Sequence, residues 1–136
     1  MDFPLDAFCR EHGLLAVYLF GSRADDGLRI LESGTVSAEG SDLDLGVVFL
    51  DHAFDVLKLS DLQVAFEERF APLEVDVVAL QRVDALFQWR AIQGHRIGTG
   101  DSTRADLWEL KVMRMAEEAE RMQKWIEREV HGVGVT

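Results

Sequence analysis

The chain has 136 residues, the size of one domain, and can bury about two-thirds of the surface that its unfolded form would expose. Its apolar content of 48%, with three Trp and eight Phe, argues for a packed core and against a disordered chain. With 25 acids against 14 bases the net charge is −11, so the cation density that neutralises nucleic-acid phosphates is missing; a DNA- or RNA-binding module is disfavoured, whereas a free nucleotide screened by Mg²⁺ or a basic protein partner is not.

No apolar run reaches the ~18 residues of a membrane-spanning helix, and the acidic start Met1–Asp6 lacks the basic-then-apolar order of a secretion signal. The single cysteine, Cys9, has no partner for an internal disulfide, which fits a reducing cytoplasm, and is read as a structural thiol.

In chain order, Leu5–His12 with Gly13 behind it predicts a short helix and its glycine stop. Leu14–Phe20 is a compact apolar run and the first predicted strand. Gly21-Ser-Arg-Ala-Asp-Asp-Gly27 interrupts it, with a short helix from Ala24 to about Leu31. Ser33–Gly40 is small, polar and bracketed by glycine, hence a loop. Asp42–Leu50 is the second strand, almost unbroken in apolar character after Asp44, as expected of a strand buried on both faces.

Asp55–Phe70 carries a helical apolar stripe that Pro72 ends. Leu73–Leu80 is the third strand, with Glu74 and Asp76 on one face and Val75 and Val77 on the other. Asp84 caps a short helix that runs to Gly94, and Gly98–Thr103 reads as a turn. The last element is a long helix, Arg104–Val130. Its apolar positions Trp108, Val112, Met115, Ala119, Met122 and Ile126 step by four and three, forming a seam that either covers the sheet or offers a surface to another chain. Together these elements predict an α/β (α+β) domain, a small mixed sheet flanked by helices.

The chemistry concentrates at Asp42 and Asp44. Side chains at i and i+2 of a strand share a face, about 6.6 Å apart along the chain. Two carboxylates there repel each other and face desolvation, and a hard divalent cation such as Mg²⁺ relieves both. Taken alone, Ser-Asp before a strand is as often a simple turn, and Gly-Ser after a strand is weaker still. The order strand, Gly21-Ser22, helix, loop, Ser41-Asp42-Leu-Asp44, strand is more specific, as is Asp76 inside an apolar strand. Glu74 ranks second as the third carboxylate because it stands at the strand's start. The four histidines have no metal-ligand spacing.

These motifs, Gly21-Ser-Arg-Ala24, Ser41-Asp-Leu-Asp44 and the acid in Val75-Asp-Val77, resemble the nucleotidyltransferase superfamily with the DNA polymerase β-like palm. Within it, the chain is similar to the minimal nucleotidyltransferases, small proteins often paired with a helical HEPN-type partner. The resemblance spans roughly residues 14–98, and the glycine of Arg90-Ala-Ile-Gln-Gly94 fits it too. One departure stands out: Ser41 follows Ser22 by 19 residues, about twice the family's usual distance, and the excess falls in the Ser33–Gly40 loop.

The chemistry agrees with the resemblance. Nucleotidyl transfer is an in-line displacement at an α-phosphate, and two metals about 3.5–4 Å apart can clamp its attacking and leaving oxygens. Asp42, Asp44 and Asp76 are the expected catalytic and metal-holding residues. Gly21, Ser22 and Ser41 are expected at the nucleotide, with Arg23 either a phosphate contact or a surface residue. The resemblance implies ATP as the donor, Mg²⁺ as the cofactor and a HEPN-type toxin tyrosine as the acceptor, which makes the chain an antitoxin and AMPylating enzyme in a cytoplasmic hetero-oligomer. Two other readings stay open: a noncatalytic module that neutralises its partner by binding, and a small-molecule nucleotidyltransferase.

Overall fold

The computed structural model describes residues 3–34, 36, 40–50 and 55–134; half of the predicted Ser33–Gly40 loop, residues 35 and 37–39, falls outside them. The elements follow in the order α1 (Asp6–His12), β1 (Leu14–Phe20), α2 (Ala24–Glu32), β2 (Leu43–Phe49), α3 (Val56–Arg69), β3 (Val75–Ala79), a 3₁₀ turn (Leu80–Arg82), α4 (Ala85–Ile92), β4 (His95–Thr99) and α5 (Ser102–Gly134). The strands form one mixed sheet of order β3-β2-β1-β4. β1 runs antiparallel to β2 and β4, while β2 and β3 are parallel and joined through α3.

Every residue of β1 is buried, and so is all of β2 except Asp44. Burial on both faces explains why these segments read as continuous apolar runs rather than alternating ones. One face, carrying Val17, Leu19, Leu45 and Val47, packs against Cys9 of α1 and Leu62 and Phe66 of α3. The other, carrying Tyr18, Phe20 and Val48, packs against Phe87 and Ala91 of α4 and Ala105 and Trp108 of α5. Burial, with Asp6 adding to it, pushes the Cys9 thiol up to about 12, the state of an inert core thiol.

Local chemistry sets the ends. Gly13 takes the left-handed conformation, φ +67°, that closes α1. Asp55 and Asp84 accept hydrogen bonds from the Leu57 and Phe87 amides at the starts of α3 and α4. The edge of β3 is satisfied from a helix: the Gln63 amide donates to the Val75 carbonyl at 2.7 Å and accepts from the Val77 amide at 3.1 Å. This covers backbone groups that would otherwise be an open sheet edge.

Two expectations need correction. The chain from Gly98 to Thr103 is not simply a turn: His95–Thr99 is the edge strand β4, and α5 begins at Ser102. β4 offers the core one large apolar side chain, Ile97, so it has no hydrophobic period to reveal it. Pairing with β1 and the close approach of Gly94 decide the strand; a Cβ on Gly94 would run into the Leu19 carbonyl. The α5 seam also divides. Ala105, Val112 and Ala116 are buried, whereas Met115, Met122 and Ile126 are exposed. Met115 sits on the flank of the contact stripe, and residues 121–130 are all exposed. At 33 residues the helix is about 50 Å long, and its far part overhangs the sheet.

The Tyr18 hydroxyl, buried on the α5 side, donates to Glu109 Oε2 at 2.6 Å, and Arg96 donates to the same oxygen at 2.9 Å and to Asp106 at 2.8 Å. Burial, and then the Glu109 contact, push the Tyr18 phenol well above its ordinary range. Glu109→Leu is expected to lower the unfolding free energy by about 1–3 kcal/mol by orphaning that hydroxyl, and Asp106→Ala, at an exposed position, by no more than ~0.5 kcal/mol. Urea denaturation of both variants checks the contrast.

Candidate active site at the ends of the central strands

Strand register builds the site. Phe20, the last residue of β1, pairs with Asp44 of β2, and Asp44 pairs in turn with Asp76 of β3. Side chains in such a row share a face, here the face of α4 and α5, to which Phe20 also belongs. Asp44 is half-buried, while Asp42 and Asp76 are exposed. Burial, then the Asp76 charge and the Asp42 charge, push the Asp44 carboxyl above the usual aspartate range, and Arg90 opposes the shift.

Gly21 follows Phe20 with φ +76°, and a Cβ there would collide with the Asp44 carboxylate. Glycine is thus required twice, by backbone conformation and by the closeness of the acid. The Ser22 and Ser41 hydroxyls lie 3.0 Å apart, joining the two motifs across their 19-residue separation.

Arg23 is not a surface residue. It is 8% exposed; its Nε donates to Asp26 at 2.7 Å and its Nη1 to the Ser41 carbonyl at 3.1 Å. It braces the Gly21-Ser22 turn against the Ser41-Asp42 turn. Sequence reading missed this because the spacing to Asp26, three residues along α2, becomes informative only once the second motif folds over it. Glu74 stands just before β3 and lines a cleft with Asp42 and Glu67, and it is not among the charges that act on Asp44.

Arg90, read from sequence only as a helix residue, belongs near the acids. Its guanidinium lies over the Phe87 ring, 5.3 Å from the centroid, and Phe87 meets Phe20 edge-on at 5.7 Å. The available signal was its spacing of three from Phe87, which places both on one face of α4.

Carboxylate oxygens are the donor class that Mg²⁺ prefers. Among the described residues no three His, Cys, Asp or Glu side chains close into a ready metal cage. Mg²⁺ is usually held by one or two carboxylates together with substrate phosphates and water.

Residues 5–102 match the family described as "Polymerase beta, Nucleotidyltransferase", and the chain belongs to that family. No curated protein matches it in sequence. Among solved structures it is similar to a chain of a mutant toxin–antitoxin MntA–HpeT complex, with 19% identity, a TM-score of 0.65 and coverage of 92% of this chain and 93% of that one. A toxin–antitoxin with AMP-PNP gives 19% identity, a TM-score of 0.64 and coverage of 92% and 94%. A complex of tri-AMPylated Shewanella oneidensis HEPN toxin with MNT antitoxin gives 18%, 0.60, 90% and 88%. At these identities the likeness establishes the fold, a polymerase β-like mixed sheet extended by a long C-terminal helix.

In metal-free protein the raised Asp44 carboxyl disfavours the fold wherever it is ionised. That penalty fades as pH falls through its folded-state value towards the ordinary one. Asp44→Asn is therefore expected to raise the unfolding free energy at neutral pH, by less than about 1 kcal/mol for a solvent-screened group. The gain should shrink as pH enters the aspartate range near ~4; melting curves in EDTA across pH check this.

Proposed function

We propose that the chain transfers AMP from ATP to a hydroxyl of a partner protein, a HEPN-type toxin tyrosine, and thereby acts as that toxin's antitoxin. The observation carrying this reading is the Phe20–Asp44–Asp76 row, with Asp42 two residues away and Gly21-Ser22 beside Asp44. Family membership supports the reaction class. The partner and the transferred group are supported by fold neighbours described as toxin–antitoxin complexes, one with an AMPylated HEPN toxin and one with AMP-PNP.

In this mechanism Asp42 and Asp44 hold Mg²⁺, with Asp76 completing the ligand set. When bound, the ions supply positive charge to the phosphoryl oxygens and acidify the attacking hydroxyl. The turn at Gly21 lets backbone amides approach the β- and γ-phosphates, and the Ser22 hydroxyl donates to them. Arg23 keeps that turn and the Ser41-Asp42 turn together. Asp76, exposed at the open side of the row, takes the proton of the acceptor hydroxyl as its oxygen bonds to the α-phosphorus. The α–β phosphoanhydride bond breaks and pyrophosphate leaves. The overhanging part of α5, with Met122, Trp125 and Ile126 exposed, is the surface assigned to the partner, and the acidity of the chain favours a basic one. Its single, buried cysteine suits a reducing cytoplasm.

The test is the mass of a co-expressed partner. Wild-type protein with ATP and Mg²⁺ should add nucleotidyl units to it. Asp42→Asn/Asp44→Asn should fold, still bind the partner and lower transfer by at least ~10²-fold. Full neutralisation of the partner by that variant without any mass shift would instead establish a noncatalytic binding module.

A second expectation concerns the helix. Met122→Glu should leave the unfolding free energy within ~0.5 kcal/mol of wild type while weakening association with the partner, measured by calorimetry. Equal losses in stability and association would reassign this face to the protein's own core.

A further inference from the structure

Arg90 is an exception to the electrostatics around it. The chain carries a net charge of −11, and Arg90 is close enough to the acid row to oppose its mutual repulsion. An exposed guanidinium that acts on the Asp44 carboxylate could close onto it. Among the described residues, Arg90 forms no such ion pair. Its guanidinium sits over Phe87, which itself meets Phe20, the strand neighbour of Asp44, edge-on.

The cation–π contact with Phe87 holds the guanidinium in place, and the exposed side chain keeps N–H donors available. A guanidinium matches phosphate oxygens in a two-pronged geometry. Cations held by the carboxylates would remove their attraction for Arg90, and the anion then entering the site is the polyphosphate of the nucleotide. Arg23 is occupied by Asp26 and the Ser41 carbonyl, so α4 rather than the Gly-Ser turn presents the cation.

We propose that Arg90, carried on α4 and stacked on Phe87, is a phosphate-binding residue for the nucleoside triphosphate. It contacts the polyphosphate from α4, an element separate from the Gly21-Ser22 turn. The inference rests on the nucleotidyl-transfer reading and adds to it a binding residue from an element outside the two motifs. The role also gives a reason for the aromatic pair Phe20–Phe87: it sets the position of a charge as well as filling the core.

The experiment is calorimetric titration of full-length wild type, Arg90→Gln and Arg90→Lys with MgATP and, separately, with magnesium tripolyphosphate. Loss of a charge-assisted contact should weaken both ligands by about 10- to 100-fold in Arg90→Gln. Arg90→Lys, which keeps the charge but loses the planar fork, should fall between. Melting temperatures of the unliganded variants should fall only slightly, because the side chain is exposed and its interactions with Phe87 and Asp44 are solvent-screened. Unchanged affinity of Arg90→Gln for both ligands would overturn the proposal and leave Arg90 as charge compensation for the acids. Weakened MgATP binding with unchanged tripolyphosphate binding would overturn it too, moving the contact to the nucleoside. Failure of wild type to bind MgATP at all would instead refute the nucleotide reading on which the proposal stands.

Discussion

Phe20, Asp44 and Asp76 form one row across three neighbouring strands, and the site depends on that register. A slip of one residue between β2 and either neighbour would turn the strand's side chains to opposite faces. Leu43 and Leu45 would then turn to the face of α4 and α5, and Asp44 would enter the layer occupied by Leu62 and Phe66. The apolar residues on both sides of Asp44 therefore hold the carboxylate in place. The energy that fixes the site is hydrophobic burial in β2, and the polar site is its by-product at the strand's open end.

Gly21 and Arg23 join that register to the two turns beside it. Gly21 reverses the chain against the Asp44 carboxylate, where any side chain would collide. Arg23, buried, then ties the reversal to the second motif through Asp26 and the Ser41 carbonyl. Two turns distant in sequence are held as one unit, so an insertion between them can lengthen the chain without moving Ser22 away from Ser41. The long Ser22–Ser41 spacing is tolerated because closure cost grows only slowly with loop length, and because the brace acts at the loop's ends.

Much of this was legible in the residues. Leu14–Phe20 was readable to its last residue because a strand buried on both faces leaves an unbroken apolar run closed by Gly21. Asp42, Asp44 and Asp76 were readable because acids interrupting such runs conflict with burial. β4 was not, since His95-Arg-Ile-Gly-Thr99 owes its conformation to pairing with β1 rather than to its own pattern. Met115 illustrates a limit of periodicity: steps of four and three define a stripe, but packing against α4 selects Val112 and Ala116 rather than the stripe's centre. Arg23 and Arg90 show that charge alone does not reveal direction. One is drawn inward by Asp26, the other held over an aromatic ring, each by a partner three residues away whose role depends on the fold around it.

The central claim is that the acid row and the Gly-Ser turn together make a metal-dependent nucleotide site. It is tested most directly by titrating the protein with a nonhydrolysable ATP analogue in the presence of Mg²⁺ and again in EDTA. Saturable one-to-one binding with Mg²⁺ and none measurable in EDTA is the predicted result, because bare carboxylates repel the triphosphate. Equal affinity under both conditions would contradict the account, since the nucleotide would then be held without the carboxylates' charge mattering.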